Sequence, residues 1–254
     1  MKNAMKFREK LHSRHLCLGV GISFYDPTAT DALCGLLDFV WIDMEHNALS
    51  LEAVQAHITA TEASETAALV RVPSHDPAVI KTVLDLGADG IIVPNVRTVD
   101  EARSAVAACR YPPDGIRGYG PRRPSRYGRT GGPAFCKAAN QAVFAVAQIE
   151  HIDAVRDTDN ILAVPGLDSI VFGPNDLSGS MGHMGEPNHP EVVSAMETVT
   201  SKALKTSVAI GVGAGGPDEI RHWIDRGVHW AMVGGDVTLM LGAAQETVER
   251  LRRH

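Results

Sequence analysis

The fold is decided by a short run of apolar residues that ends in an acid, Phe39-Val40-Trp41-Ile42-Asp43. Four consecutive apolar side chains are typical of a strand that is covered on both faces, as the strands of parallel sheets are. Similar runs recur along the chain, and each is followed by a polar turn and then by a helical pattern. This alternation predicts parallel strands joined by right-handed helical crossovers.

Eight strand–helix units can be read along the chain. The predicted strands are residues 17–22, 39–43, 67–72, 90–93, 143–148, 169–172, 208–212 and 230–233. The clearest amphipathic helices are residues 51–63, 77–85, 99–109, 191–205 and 217–226. Eight units favour a single (β/α)8 TIM barrel, with a doubly wound open sheet as the alternative. We expect residues 1–254 to form one barrel domain, since barrels routinely use about 250 residues.

Composition excludes several classes of protein. Hydrophobic residues make up 44% of the chain and charged residues 21%, which is typical of a globular protein. Thirty acidic against 24 basic residues give a net charge of −6, which argues against a nucleic-acid-binding role. Four widely spaced cysteines predict reduced thiols and a cytoplasmic location. The apolar stretch 16–24 is short and interrupted by glycine, so we interpret it as the first strand rather than as a signal or membrane segment.

The segment 111–140, between the fourth and fifth strands, breaks the regular alternation. It is rich in proline and arginine, and loops of this length are usually functional or disordered. We expect Arg122 and Arg123 to bind an anionic part of a substrate. For Arg126 and Arg129, contacts between subunits are the favoured interpretation.

Polar residues stand where four predicted strands end. In a parallel barrel these carboxyl ends surround the active site. The residues concerned are Asp43, Glu45 and His46 after the second strand, Arg71 in the third, Gln148 and Glu150 at the fifth, and Asp176 after the sixth.

Glu150 and Asp176 follow neighbouring strands, so their carboxylates are expected to lie close together. Two such carboxylates repel unless a cation sits between them or one keeps a proton. A site made of oxygen ligands suits Mg²⁺ or Mn²⁺. The alternative is that one acid caps a helix and the other forms a surface ion pair.

His46 and Arg71 each allow a functional and a structural interpretation. His46 has polar neighbours and suits a general base near neutral pH, or it is a hydrogen-bonded structural residue. Arg71 suits an anionic ligand in the barrel mouth, or it anchors a carboxylate of the fold.

Glycines follow the last two strands, at residues 211–216 and at Gly234-Gly235. In barrels these positions commonly bind phosphate through backbone N–H groups, but close loop packing explains them equally well. They do not form a dinucleotide-binding fingerprint, because that pattern belongs after the first strand of a Rossmann fold.

Several motifs together resemble the HpcH/HpaI aldolase family along nearly the whole chain. The motifs are residues 39–46, Gly90-Ile91-Ile92-Val93-Pro94, Tyr111-Pro112-Pro113, residues 115–118, residues 120–123, Gln148-Ile149-Glu150 and residues 173–178. The resemblance implies a divalent-metal-dependent enzyme that splits a 4-hydroxy-2-oxo acid into pyruvate and an aldehyde. It also implies a homohexamer, a trimer of dimers that exchange the last helix, here residues 235–253.

The resemblance implies roles for individual residues. Glu150 and Asp176 are expected to bind the metal, His46 to act as base, and Arg71 to stabilise the enolate. Asp85 matches the acid that pairs with the base, and Asp43 belongs to the same motif as His46. The pyruvate-binding residues implied are Gln148, Gly173, Pro174, Asn175 and Asp176. Mg²⁺, Mn²⁺ and Co²⁺ are all compatible with such oxygen ligands.

Three other functions remain open at this point. A Schiff-base aldolase would need a lysine at a strand end, but Lys81, Lys137, Lys202 and Lys205 are all predicted on helices or in the long segment. A related lyase acting on a CoA ester or a phosphorylated oxo acid would use the glycines after the last two strands. A catalytically silent scaffold would not need the polar residues at the strand ends. The chain lacks the tryptophan that many family members carry near the end of the first strand, so the aldehyde stays unassigned.

Overall fold

A computed structural model describes residues 2–213 and 215–253 of the chain. Eight parallel strands form a closed barrel in sequential order, with β1 paired to β8. The strands are β1 Cys17–Ile22, β2 Phe39–Asp43, β3 Ala67–Arg71, β4 Gly90–Val93, β5 Phe144–Ile149, β6 Ser169–Phe172, β7 Ala209–Gly213 and β8 Trp230–Gly235. The predicted TIM barrel is confirmed, and the open-sheet alternative is wrong because β1 and β8 close the sheet.

Helices surround this barrel. They are α1 Lys2–His12, α2 Thr28–Leu33, α3 Leu51–Thr61, α4 Pro77–Leu86, α5 Val99–Ala108, α6 Gly132–Ala142, α7 Ile152–Arg156, α8 Thr158–Leu162, α9 Pro174–Ser180, α10 Pro190–Ala203, α11 Pro217–Ile224 and α12 Asp236–Arg252. The five helices predicted from the amphipathic pattern lie within a few residues of α3, α4, α5, α10 and α11.

Local sequence signals explain where the central helices begin and end. Asp76 caps α4 by accepting a hydrogen bond from the Ala78 N–H, and Thr98 and Glu101 form a capping box at α5. Helix α4 stops at Gly87, whose φ of 107° is in the left-handed region that glycine adopts without strain. These caps define where the helices begin and where α4 ends, before the chain returns to the sheet.

The strands alternate between two environments, as their period of two requires. In β2, Val40 and Ile42 pack among the residues that face the helices, whereas Phe39 and Trp41 belong to the cluster inside the barrel. Asp43 continues this inward face at the carboxyl end of the strand. A strand that is apolar on both faces thus ends with a polar side chain pointing into the barrel mouth.

Helix α1 covers the amino end of the barrel. Phe7 lies edge-on to Phe39, Phe144 and Trp230, with ring centroids 5.6, 5.2 and 6.5 Å away. The Ala4 N–H donates to Asp89, which also accepts from the Ala68 N–H of β3. This end of the barrel is therefore filled and sealed.

The long segment 111–140 is less irregular than its composition suggests. Its last part forms α6, which brings Phe135 and Ala139 onto Tyr111 in a small separate apolar cluster. The proline-rich pattern hid this helix because Pro133 stands in its first turn, where proline is tolerated.

The last helix, α12, has 17 residues, of which only Asp236, its first residue, is buried. Its apolar side chains, including Leu239, Leu241 and Leu251, are exposed. Among the described residues, none of the helices combines the length and the apolar character needed to cross a membrane.

Candidate active site

The carboxyl end of the barrel opens into a cavity of about 270 Å³. It is lined by side chains from several strand ends, including Trp41, Asp43, His46, Arg71, Gln148 and Asp176. The strand register brings two of them together, because Asp43 and Arg71 are direct partners in the β2–β3 pair. Five of the polar residues predicted at the strand ends therefore line one cavity, and the other two, Glu45 and Glu150, contact Arg71 and Gln148 in its wall.

Arg71 is held firmly at the base of this cavity. Its Nε lies 2.8 Å from Asp43 Oδ1 and its Nη1 lies 2.9 Å from Glu45 Oε2. The guanidinium also lies over the Trp41 ring, 5.4 Å from the ring centroid. Arg71 thus anchors two carboxylates of the fold and still presents a fixed positive charge to the cavity.

Glu150 is a buried acid in an environment that disfavours its negative charge. Its carboxylate accepts hydrogen bonds from the Asn95 N–H and the Gln148 side-chain amide, both at 2.5 Å. Burial, together with the charges of Glu45 and Asp176, raises the pKa of Glu150 to about 7, against the lowering effects of the Asn95 N–H and of Arg71. A cation beside Glu150 would remove this cost of ionisation.

Gly173 makes room for that carboxylate. A Cβ at this position would lie 2.3 Å from Glu150 Oε2 and 2.7 Å from Gln148 Nε2. The residue before α9 must therefore be glycine, and this sets Pro174, Asn175 and Asp176 in the first turn of that helix.

Three carboxylates converge next to this point. Asp176 is exposed on α9, and its charge, like that of Glu45, acts on Glu150. Burial also raises the pKa of Glu45, against the opposing effect of Arg71. Beside them, the side-chain oxygen of Gln148 is buried with no hydrogen-bond donor among the described residues. Converging oxygen ligands with an excess of negative charge fit a hard divalent cation.

His46 lies on the open side of the cavity. Its side chain is 62% exposed, and its Nε2 lies 3.5 Å from Glu45 Oε2. The structural interpretation, a histidine enclosed by hydrogen bonds, does not match this exposure. The position suits a base that exchanges protons with a ligand or with water.

Comparison with known proteins identifies the family of this chain. The family model HpcH/HpaI aldolase/citrate lyase matches residues 26–243. The chain belongs to this family. It is 34% identical to a hydroxypyruvate/pyruvate aldolase from Roseovarius nubinhibens, covering 97% of this chain and 96% of that one. It is also 34% identical to a 4-hydroxy-2-oxo-heptane-1,7-dioate aldolase from Salmonella dublin, covering 98% of this chain and 95% of that one.

A solved structure shows the same fold. A HpcH/HpaI aldolase/citrate lyase family protein from Burkholderia cenocepacia superposes with a TM-score of 0.93 at 30% identity, covering 97% of this chain and 99% of that one. The predicted resemblance to HpcH/HpaI aldolases is confirmed, and with it the assignment of the chain as a carbon–carbon lyase of the aldolase type.

Three residues predicted for the active site of this HpcH/HpaI protein lie outside the cavity. Asp85, at the end of α4, pairs with Arg117 at 2.7 Å rather than with His46. Arg123 pairs with Glu62 at 2.8 Å, and Arg122 is exposed on the long segment. As the structure describes the chain, none of Asp85, Arg122 and Arg123 lines the cavity.

The glycines after β7 and β8 have a packing role. A Cβ on Gly211 would lie 2.1 Å from the Trp230 ring, so this glycine lets the indole fill the barrel. Gly213 and Gly235 reach the cavity wall. Ala214, in the middle of the predicted phosphate-binding stretch, lies outside the described residues.

Reasoning from the sequence missed three contributors to the site. Glu45 was quoted in a motif but given no role, although it lies two residues after Asp43 and pairs with Arg71. Trp41 could have been placed by the period of two of β2. Asn95, whose N–H holds Glu150, has no comparable signal, because its φ of 53° and its contact arise from a turn 55 residues away in the chain.

Proposed function

We propose that this HpcH/HpaI protein is a divalent-metal-dependent aldolase that reversibly cleaves a 4-hydroxy-2-oxo acid into pyruvate and an aldehyde. The observation that carries the proposal is the convergence of Glu45, Glu150 and Asp176 beside one cavity whose wall holds a fixed arginine and an accessible histidine. One named relative is an aldolase for a 4-hydroxy-2-oxo acid, 4-hydroxy-2-oxo-heptane-1,7-dioate, and another is a hydroxypyruvate/pyruvate aldolase.

Glu150 and Asp176 would hold the metal, with Gln148 beside them. When bound, a divalent ion supplies Lewis-acid stabilisation of negative charge on the 2-oxo oxygen. Mg²⁺, Mn²⁺ and Co²⁺ all accept such ligands, so titration of the chelator-treated enzyme with each ion is needed to rank them.

The protein's own groups would carry the proton and the charge. His46 accepts the proton of the C4 hydroxyl, the C3–C4 bond breaks, and the electron pair moves toward the C2 oxygen. Arg71, fixed by Asp43 and Glu45, faces this developing negative charge. A proton returned to C3 completes pyruvate. Pyruvate would rest against Gln148 and the first turn of α9, formed by Pro174, Asn175 and Asp176.

Condensation in the reverse direction provides the test. The enzyme is incubated with pyruvate, Mg²⁺ or Mn²⁺ and a panel of aldehydes, and products are identified by mass. We expect aldol adducts that disappear with chelator and return with metal. A stable adduct after borohydride treatment with pyruvate would instead indicate a Schiff-base lysine, although the described cavity wall contains none.

We also propose a homohexamer in which α12 is exchanged between subunits. The exposed apolar side chains of α12 support this, because such a surface is costly in water unless another chain covers it. Light scattering on the native chain and on a Leu239→Lys/Leu251→Lys variant tests it, with a smaller particle expected for the variant.

An assembly of this kind would also give Asp85, Arg122 and Arg123 a route to an active site. Because Asp85 pairs with Arg117 and does not line the cavity of its own chain, it would reach a His46 across a subunit contact. We propose that role for Asp85, with Arg122 and Arg123 facing the anionic end of a neighbouring subunit's substrate.

Two further features of the protein belong with this proposal. All eight strands form one barrel, which supports residues 1–254 acting as a single domain. The four cysteines are all unpaired thiols, which supports a cytoplasmic location and can be tested by cell fractionation.

A further inference from the structure

A second cluster of potential metal ligands lies between α9 and α10, apart from the cavity. It consists of His183, His189 and Glu191. His183 Nε2 lies 3.1 Å from Glu191 Oε2, and the two imidazole rings stack with centroids 3.6 Å apart. One nitrogen or oxygen atom from each residue lies within 4.8 Å of the other two.

Backbone hydrogen bonds order the segment that carries the three side chains. The His183 N–H donates to the Ser178 carbonyl at 2.8 Å, the Glu186 N–H to the His183 carbonyl at 2.9 Å, and the His189 N–H to the Glu186 carbonyl at 2.9 Å. His189 Nδ1 accepts the Glu191 N–H at 3.3 Å at the start of α10. This bond leaves His189 Nε2 available to a ligand.

The charge of this segment favours a cation. Residues 181–191 contain two acids, Glu186 and Glu191, and no lysine or arginine. Within the described part of the chain, the ion-pair partner of Glu191 is His183 alone. The negative charge is therefore not neutralised by a permanently charged side chain.

The ligand type differs from that of the cavity. Two imidazoles and one carboxylate form the set that zinc takes with water in its fourth position, whereas the metal ligands proposed at the cavity, Glu150 and Asp176, bind through oxygen. The two sites would thus select different ions from the same solution.

We propose that His183, His189 and Glu191 form a second metal site, specific for Zn²⁺ over Mg²⁺. The stacked rings hold their nitrogen lone pairs in nearly parallel planes, so one imidazole turns about its Cβ–Cγ bond to meet the ion. Both rings are only partly buried, which leaves room for this rotation. Because zinc binds neutral imidazole, its affinity for such a site falls at acid pH.

The site would fix the segment that leaves α9, the helix that carries Asp176. Helix α9 ends at Ser180, and His183 follows three residues later. Zinc that binds the folded chain but not the unfolded chain stabilises the fold. The melting temperature should therefore rise once the zinc concentration exceeds the dissociation constant. This inference does not depend on the proposed aldolase reaction.

The test uses the full chain with the cavity ligands removed. In a Glu150→Gln/Asp176→Asn background, zinc binding is measured by calorimetry and by metal analysis after gel filtration. We expect about one Zn²⁺ per chain, no competition from excess Mg²⁺, and a rise in melting temperature. Adding His183→Gln and Glu191→Gln should remove both the bound zinc and the rise.

His151 provides a matched control. It caps α7 as His189 caps α10, accepting the Asp153 N–H at 3.1 Å, and its Nδ1 lies 3.3 Å from Asp153 Oδ2. Among the described residues, His151 does not belong to a group of three potential metal ligands. His151→Gln should therefore keep the zinc. Equal zinc binding with and without His183 and Glu191 would overturn the proposal. So would a failure of the Glu150→Gln/Asp176→Asn chain to bind zinc when its circular dichroism spectrum shows that it is folded.

Discussion

The two ends of this barrel use the same inward-facing strand positions for opposite purposes. At the amino end these positions hold Phe39, Phe144 and Trp230, which pack around Phe7 of α1. At the carboxyl end they hold Asp43, Arg71 and Gln148, and the buried acid Glu150 follows directly after β5. One end is filled with aromatic rings, and the other encloses a cavity lined with charges.

The comparison shows how the molecule separates stability from reactivity. The aromatic end buries apolar surface and gains free energy of folding from it. The polar end contains Glu150, whose pKa is raised to about 7, so holding this group ionised opposes folding. Changes at one end should therefore affect activity, and changes at the other should affect stability.

The largest effect is expected at the polar end. Glu150→Gln keeps the size of the side chain but removes a metal ligand and its charge. We expect turnover of a 4-hydroxy-2-oxo acid to fall by ~10⁴-fold, because metal stabilisation of a developing enolate contributes several kcal/mol. The melting temperature should be unchanged or higher. Full turnover by this variant would contradict the assigned metal site.

The corresponding test at the aromatic end is Phe7→Ala. Loss of this buried ring should lower the free energy of unfolding by about 4 kcal/mol, measured by urea denaturation. Turnover of the folded fraction should stay close to that of the native enzyme. Met5→Ala, on the exposed side of the same helix, is the control and should cost less than about 0.5 kcal/mol.

Arg71→Lys tests whether geometry or charge matters in the cavity. Lysine keeps the positive charge but cannot hold Asp43 and Glu45 at the same time with a planar group. We expect kcat to fall by ~10²-fold with a smaller change in KM. Arg103→Lys, on the exposed Arg103–Asp100 pair, should leave kcat unchanged. An unaffected kcat in Arg71→Lys would show that charge alone is sufficient.

Mixed assemblies test whether the polar end is completed by a neighbouring chain. His46→Asn and Asp85→Asn should each be nearly inactive alone. If Asp85 acts across a subunit contact, random mixing restores about one quarter of the sites, because each needs an intact residue from both chains. The recovery is measured after co-expression and purification by two different tags. No recovery would place Asp85 outside the site.

The smallest effect concerns the loop that borders the cavity. Burial lowers the pKa of His57, and its ring bridges Thr30 Oγ1 at 2.9 Å and the Phe24 carbonyl at 3.0 Å. The unfolded chain takes up a proton here below a pH of about 6.5, whereas the folded chain resists it. Stability should therefore fall as pH drops from 7.5 to 5.5, and the slope should be smaller in His57→Gln. Identical slopes in thermal melts would exclude this contribution.

Much of the candidate site could be predicted from single strands. Asp43, Arg71, Gln148 and Glu150 each lie at or just after the end of an apolar run, and a period of two decides which face they share. Glu45 lies in the turn after β2, beyond the reach of this rule, and its contact with Arg71 became visible only in the structure. The position of Asp176 follows from the order of the strands, because β5 and β6 are neighbours in any sequential barrel.

Other features depend on contacts between distant parts of the chain. Asp85 pairs with Arg117, which no local pattern indicates, and Glu150 is held by an N–H from the turn after β4. The helix α6 was hidden by the prolines around it. The pairing of His183 with Glu191 was missed because neither residue stands at a strand end.

The sequence by itself determined the barrel, the inward faces of its strands and the polar residues at their carboxyl ends, because these depend on local periodicity and on the order of the strands. Only the tertiary structure decided the partners of Arg71, Glu150 and Asp85. Which charges meet depends on how separate turns and helices pack, and burial between them sets the pKa of Glu150. The exposure of the apolar side chains of α12 was also decided by the tertiary structure, because it depends on the rest of the chain folding without covering them.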